Sequence, residues 1–363
     1  MTRSSFLSHP LVAYLRDPQV GLAFVPRDWE RLFRAARHGQ LSSRVACIAE
    51  ANGLLERLPE KVQFHMRSAR RVSDSQATSV RWEIVKVREA LAVSQTPFVV
   101  LKGAAYIQSG LKAGAGRVMS DIDIMVPQAQ LAIVETELCA NGWFPTKLDK
   151  YDQRYYREWM HELPPMQHLD RGTHIDVHHT ILPPTALLKP DVAKLWASSV
   201  SLGGDKLVHI LSPVDLVLHS ATHLFHDSEF EHALRDLVDM DGLIREFSVE
   251  PDFLTTLVKR AHLLDLGRPL HYALKYCKIF LHTPIDEGTL ERAEEMGSQS
   301  SVVRAIMDAV VMQSVGSVLQ ERPNWRSHAA QFLMYVRAHF LRMPLHLLIP
   351  HLIRKQFAPA ETR

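Results

Sequence analysis

The stretch SDIDIMV, residues 120–126, limits the fold of this chain more than any other. Its apolar content is that of a strand buried in a sheet, yet it carries two aspartates one residue apart. Successive strand side chains point to opposite faces, so Asp121 and Asp123 share one face and Ile122 and Ile124 the other. Two like charges on a half-buried surface are costly unless a cation or several donors neutralise them. No Lys or Arg lies between the two aspartates. The chain must therefore build a sheet under paired carboxylates and bring positive charge to them from elsewhere.

A third acid has the same setting. Asp176 stands in HIDVHH, residues 174–179, with Ile175 and Val177 on the opposite face of an expected core strand. The apolar, β-branched run 98–101 reads as another buried strand and leads into a glycine turn, Lys102-Gly103-Ala104. Pro127 opens a helix that ends at Asn141-Gly142, and Arg171-Gly172 marks a hairpin between PMQHLD and THIDVHH. Strand, helix, strand, helix and meander indicate an α+β unit with a small mixed sheet.

Helical patterns flank this unit. Asp28 is placed as the N-cap of a helix stopping at Gly39, and residues 60–95 hold one long helix or two abutting ones. Ser212, Pro213 and Asp215 start a helix, and further helical patterns cover about 229–247, 250–263, 267–282, 300–319 and 324–341. The expected division is 1–95 helical, 96–210 α/β core and 211–363 helical.

Composition narrows the class. With 363 residues, 46% hydrophobic and 23% charged, the chain supports a sizeable core and little disorder. A net charge of +2 is too small for nucleic-acid binding through bulk electrostatics, so no nucleic-acid partner is expected. Three scattered cysteines without a CxxC suit a reducing cytoplasm, and the first 25 residues lack the apolar core of a secretory leader. No apolar run reaches the ~20 residues of a transmembrane helix.

Three strand-borne carboxylates converging on one sheet suit a hard divalent cation that also binds phosphate oxygens. A glycine turn lets backbone N–H groups approach phosphate unobstructed. With these residues in place, the chain resembles the polymerase-β type of nucleotidyltransferase fold. More narrowly, VVLKGAAY, GRVMSDIDIMV, HIDVHHTI and LHSATHLFH…LRDLVDMDGLI resemble an uncharacterised bacterial nucleotidyltransferase family, over about residues 28–250.

The resemblance implies a core flanked by helical regions and transfer of an NMP from an NTP, ATP by preference, to a hydroxyl of an unidentified small molecule, peptide or protein. Asp121 and Asp123 would hold two Mg²⁺ ions, with Mn²⁺ as the substitute. Asp176 would bind metal or take the hydroxyl's proton. Lys102, Gly103, Ala104, Arg117 and Ser120 would face the nucleotide, and His178, His219 and His223 would line an acceptor cleft. Ala104 stands where most catalytic members of the broader fold carry Ser or Gly. It leaves room for two alternatives, a catalytically silent nucleotide-binding or partner-binding member and a phosphotransferase using the same carboxylates.

Several other patterns have competing readings. His174, Asp176 and His178 share a strand face and form a possible transition-metal set, though orienting or solvent-facing roles are expected. His219, His223 and His226 fall on one helix face without the Glu of a metalloprotease motif. Arg235 and Asp239 are spaced for a helix-face ion pair. The aromatics Trp143, Tyr151, Tyr155, Tyr156 and Trp159 either stack a base or fill a core. The basic amphipathic segment 342–357 packs on the helical domain or touches a membrane surface.

Overall fold

A computed structural model describes residues 6–227, 230, 232–297 and 300–357. Seven strands form one mixed sheet: β1 Phe98–Val100, β2 Asp121–Met125, β3 Trp143–Pro145, β4 Met166–His168, β5 His174–His178, β6 Val200–Ser201 and β7 Val208–Ile210. Their order across the sheet is β3-β4-β5-β2-β1-β7-β6, which places β2 at the centre. β2 runs antiparallel to β1 and parallel to β5. β3 falls in the expected meander, whereas β6 and β7, of two and three residues, are too short for an alternating pattern and were not singled out from sequence.

Helices surround the sheet, so the molecule is α+β with a small mixed-sheet core. The stretch 60–90 is one 31-residue helix, Glu60–Ala90, because no Gly or Pro interrupts it. The helix Pro26–His38 differs from expectation at its start. Pro26, whose fixed φ suits the first helical position, takes that place, and Asp28 lies in the first turn, accepting a bond from the Val25 N–H at 3.3 Å. The segment after Pro127 begins as a 3₁₀ turn, Gln128–Gln130, before the helix Leu131–Ala140. The hairpin turns at Arg171-Gly172 as expected, with Gly172 at φ +68°.

Most of the C-terminal helices follow the expected spans, with Glu287–Gly297 as an unforeseen addition. The last, Leu345–Phe357, packs through His351. The His351 ring stacks on Tyr155 at 4.5 Å and its Nδ1 lies 3.0 Å from the Tyr151 hydroxyl. Tyr151 and Tyr155 thus hold a helix. Trp143 is buried edge-on against His168. One contiguous apolar core runs from Phe6 to Met334 and takes residues from the sheet and the helices on both sides. Among the described residues no helix is long and apolar enough to cross a membrane.

Candidate active site

The β2–β5 register brings the three acids together. Asp123 pairs with Asp176 and Asp121 with His174, so the carboxylates project from one face while Ile122, Ile124, Ile175 and Val177 are buried beneath the other. One oxygen from each of Asp121, Asp123 and Asp176 lies within 4.8 Å of the other two. Oxygen donors at that spacing fit a hard divalent cation, which takes a few carboxylates and completes its shell with phosphate and water.

The charge sought in the sequence arrives from the turn after β1. Lys102 adopts a left-handed φ of +47°, and its Nζ donates to Asp123 Oδ1 at 2.8 Å. His178, on β5, donates Nε2–H to the same oxygen at 3.0 Å. Both bonds fall on Oδ1. Burial alone would raise the Asp123 carboxyl. The Lys102 ammonium and the His178 bond outweigh it and hold Asp123 well below the ordinary carboxylate range. The same partner, against the cost of burial, raises Lys102.

Asp176 has the opposite environment. No described residue donates a hydrogen bond to it, and burial, followed by the charges of Asp123 and Glu162, pushes it up to about 7. Their opposite environments thus drive two neighbouring carboxyls apart.

A cleft of about 380 Å³ opens beside the trio. Its wall includes Lys102, Gly103, Ala104, Arg117, Ser120, Asp121, Asp123 and His223. A Cβ on Gly103 would meet the flexible tip of Met119 and come within 3.3 Å of Arg117 Cγ. Ser120 donates its hydroxyl to Asp121 at 3.1 Å. The long helix steadies this loop, since Gln76 accepts from the Met119 N–H at 3.1 Å and donates back to the Met119 carbonyl. Asp176, His178 and His219 lie outside the cleft wall. Asp176 sits near Glu162 and Tyr156, close enough for their charges to interact.

Arg117 is engaged at the back of the cleft. Its Nε donates to Asp239 at 2.7 Å, and the other Asp239 oxygen accepts from Arg44 at 2.7 Å. Arg44 also bonds the carbonyls of Lys112 and Ala113. The loop glycines permit this approach, for a Cβ on Gly116 would lie 2.6 Å from the Ser43 carbonyl oxygen. The expected Arg235–Asp239 pair does not form. Asp239 is buried between Arg44 and Arg117, and Arg235 turns to Asp236 at 2.9 Å.

The histidine row also divides. The helix Pro213–Thr222 passes into a π turn, His223–Asp227, which changes the angular step between residues. His219 and His223 remain near Lys102 and Asp123. Burial, then the Lys102 charge, lowers both, His219 to about 3. His226 instead joins a separate small cavity with Arg268 and Arg337. His174 is exposed, and the set His174–Asp176–His178 is not among the ligand-distance groups of the described residues.

Sequence reasoning missed Arg44, Asp236, His161 and Glu162. Arg44 left a trace, a lone guanidinium in the otherwise apolar run VACIA that follows it. Glu162 left none, because only the bridge to His178 brings it inward.

A mixed sheet bearing carboxylates on two adjacent parallel strands, beside a glycine turn and a cleft, defines an α+β protein with a nucleotidyltransferase core. The sequence model of the family described as uncharacterised nucleotidyltransferase matches residues 26–282, and the chain belongs to that family. No curated protein and no solved structure matches it.

Proposed function

We propose that the protein transfers an NMP from an NTP to an acceptor hydroxyl, with Asp121 and Asp123 as the main metal ligands and Asp176 at the acceptor. The clustering of the three carboxylates beside the cleft, within a nucleotidyltransferase family, carries this reading. Two Mg²⁺ ions, or Mn²⁺ in their place, would neutralise phosphate charge and favour ionisation of the attacking hydroxyl. The triphosphate lies along Gly103 and Ser120, where the missing side chain at 103 leaves room for it. ATP is the first nucleotide to test.

Asp176 stands just beyond the cleft wall, with one oxygen within 4.8 Å of oxygens of Asp121 and Asp123. It takes the acceptor proton as the new bond to the α-phosphorus forms. The bond from the α-phosphorus to the bridging oxygen breaks, and pyrophosphate leaves with the electron pair. In the metal-free protein this carboxyl is held at about 7, and bound cations would lower it, so that it meets the acceptor ionised and able to take the proton. Lys102 moves from Asp123 toward the phosphates as charge accumulates there. Positioning and charge neutralisation supply the rate, without a covalent enzyme intermediate.

The test is incubation with each NTP, Mg²⁺ and a metabolite extract, following pyrophosphate and mass-shifted products. Turnover in wild type and its loss in Asp121→Ala support the proposal. Release of ADP in place of pyrophosphate replaces it with phosphotransfer. One observation favours a second reading, a silent nucleotide-binding protein: Lys102 already gives Asp123 the positive charge a metal would bring. NTP binding unaffected by EDTA, without turnover, selects that reading.

A further inference from the structure

Nucleotidyl transfer does not use a second group of ligand-type atoms next to the aspartates. Glu162 forms an isolated antiparallel bridge with His178. The segment is anchored by Leu163 N–H to the Val177 carbonyl and by His179 N–H to the His161 carbonyl, both 2.8 Å. The His161 and His178 rings lie 4.9 Å apart, and His178 Nδ1 is 3.3 Å from Glu162 Oε2. One ligand atom from each of the three residues falls within 4.8 Å of the others. Both histidines are buried, while Glu162 keeps 16% of its side chain exposed.

Two features point to a ligand. His161 Nδ1 is buried with no hydrogen-bond partner, an arrangement that is costly unless a ligand fills it. His178 spends Nε2–H on Asp123 and turns Nδ1 toward the Glu162 carboxylate. Metal-binding imidazoles are oriented in this way, with one ring N–H donated to a carboxylate and the other nitrogen left to the ion.

We propose that His161, Glu162 and His178 bind one borderline divalent cation such as Zn²⁺, at a site separate from the three aspartates and joined to it through the His178 ring. Two imidazole nitrogens and one carboxylate select Zn²⁺ over Mg²⁺, and three protein ligands leave a position for water. The bound ion would fix the His178 ring and keep its Nε2–H on Asp123. This goes beyond nucleotidyl transfer, and its readout is the ion, so either idea can fail without the other.

The test titrates metal-stripped full-length protein with Co²⁺, whose visible absorption reports nitrogen ligands at a zinc-type site. One equivalent should produce a band that Zn²⁺ abolishes and excess Mg²⁺ leaves intact. The band should persist in Asp121→Asn, and His161→Ala should weaken Co²⁺ binding at least tenfold. If His161→Ala fails to fold, His161→Gln is judged by the same criterion. The proposal is overturned by a spectrum of oxygen ligation alone, or by a band that survives loss of His161 and disappears with Asp121.

Discussion

Replacing Asp176 by Asn should stabilise the metal-free protein at pH 8 and leave it nearly unchanged near pH 4. Folding raises the Asp176 carboxyl to about 7, through burial first and then the charges of Asp123 and Glu162. The unfolded chain releases this proton near pH 4, whereas the native protein keeps it until about pH 7. Across that interval the native state binds the extra proton, so stability falls as pH rises, and above pH 7 the full cost remains. A displacement from the ordinary 3.8 to about 7 corresponds to roughly 4 kcal/mol at about 1.4 kcal/mol per tenfold. Hydration and side-chain relaxation reduce the expected gain to about 1–3 kcal/mol. Asparagine keeps the shape and has no charge to bury. Urea unfolding in EDTA at pH 8 and pH 4.5 measures the effect, and millimolar Mg²⁺ should close the gap at pH 8 by stabilising the ionised wild type. Equal stability at pH 8, or the same gain at both pH values, would refute the electrostatic account of Asp176.

Other expectations follow from the same contacts. Asp123→Ala removes the buried partner of Lys102 and should cost about 2–4 kcal/mol, whereas Asp121→Ala, bonded only to the Ser120 hydroxyl, should cost less than about 1; urea midpoints separate the two. Gly103→Ala should push the Met119 tip aside and weaken NTP binding several-fold by calorimetry, with a stability change under about 1 kcal/mol because that tip is flexible. Asp239→Ala leaves Arg44 and Arg117 buried without their shared carboxylate and should destabilise by about 3–5 kcal/mol, visible as a lower unfolding temperature.

The parts of this architecture legible in sequence are those governed by local periodicity. β2 and β5 alternate apolar and acidic residues, so their buried faces and the shared face of Asp121 and Asp123 could be read directly. Helix over residues 60–90 was legible from the lack of breakers, though not that it is one helix and not two, and the Arg171-Gly172 turn was legible by its glycine. The three acids were grouped by their matching strand settings, with the resemblance added, and the parallel register of β2 on β5 supplies the physical reason they meet. Contacts between distant segments were not legible. Lys102 reaches Asp123 only because its backbone turns left-handed, Asp239 chooses Arg44 over Arg235 because of burial, and His226 leaves its row because a π turn changes the helical phase. No spacing rule encodes these, since each depends on how remote elements pack.

The proposed transfer requires a divalent ion seated on Asp121, Asp123 and Asp176 beside a nucleotide in the adjoining cleft. Its most direct test is anomalous diffraction from crystals grown with Mn²⁺ and a non-hydrolysable NTP. The account predicts Mn²⁺ density bonded to Asp121 and Asp123 at about 2 Å, phosphates beside Gly103, and Lys102 Nζ turned from Asp123 toward them. Nucleotide bound with no Mn²⁺ at these aspartates, and Lys102 still on Asp123, would contradict it.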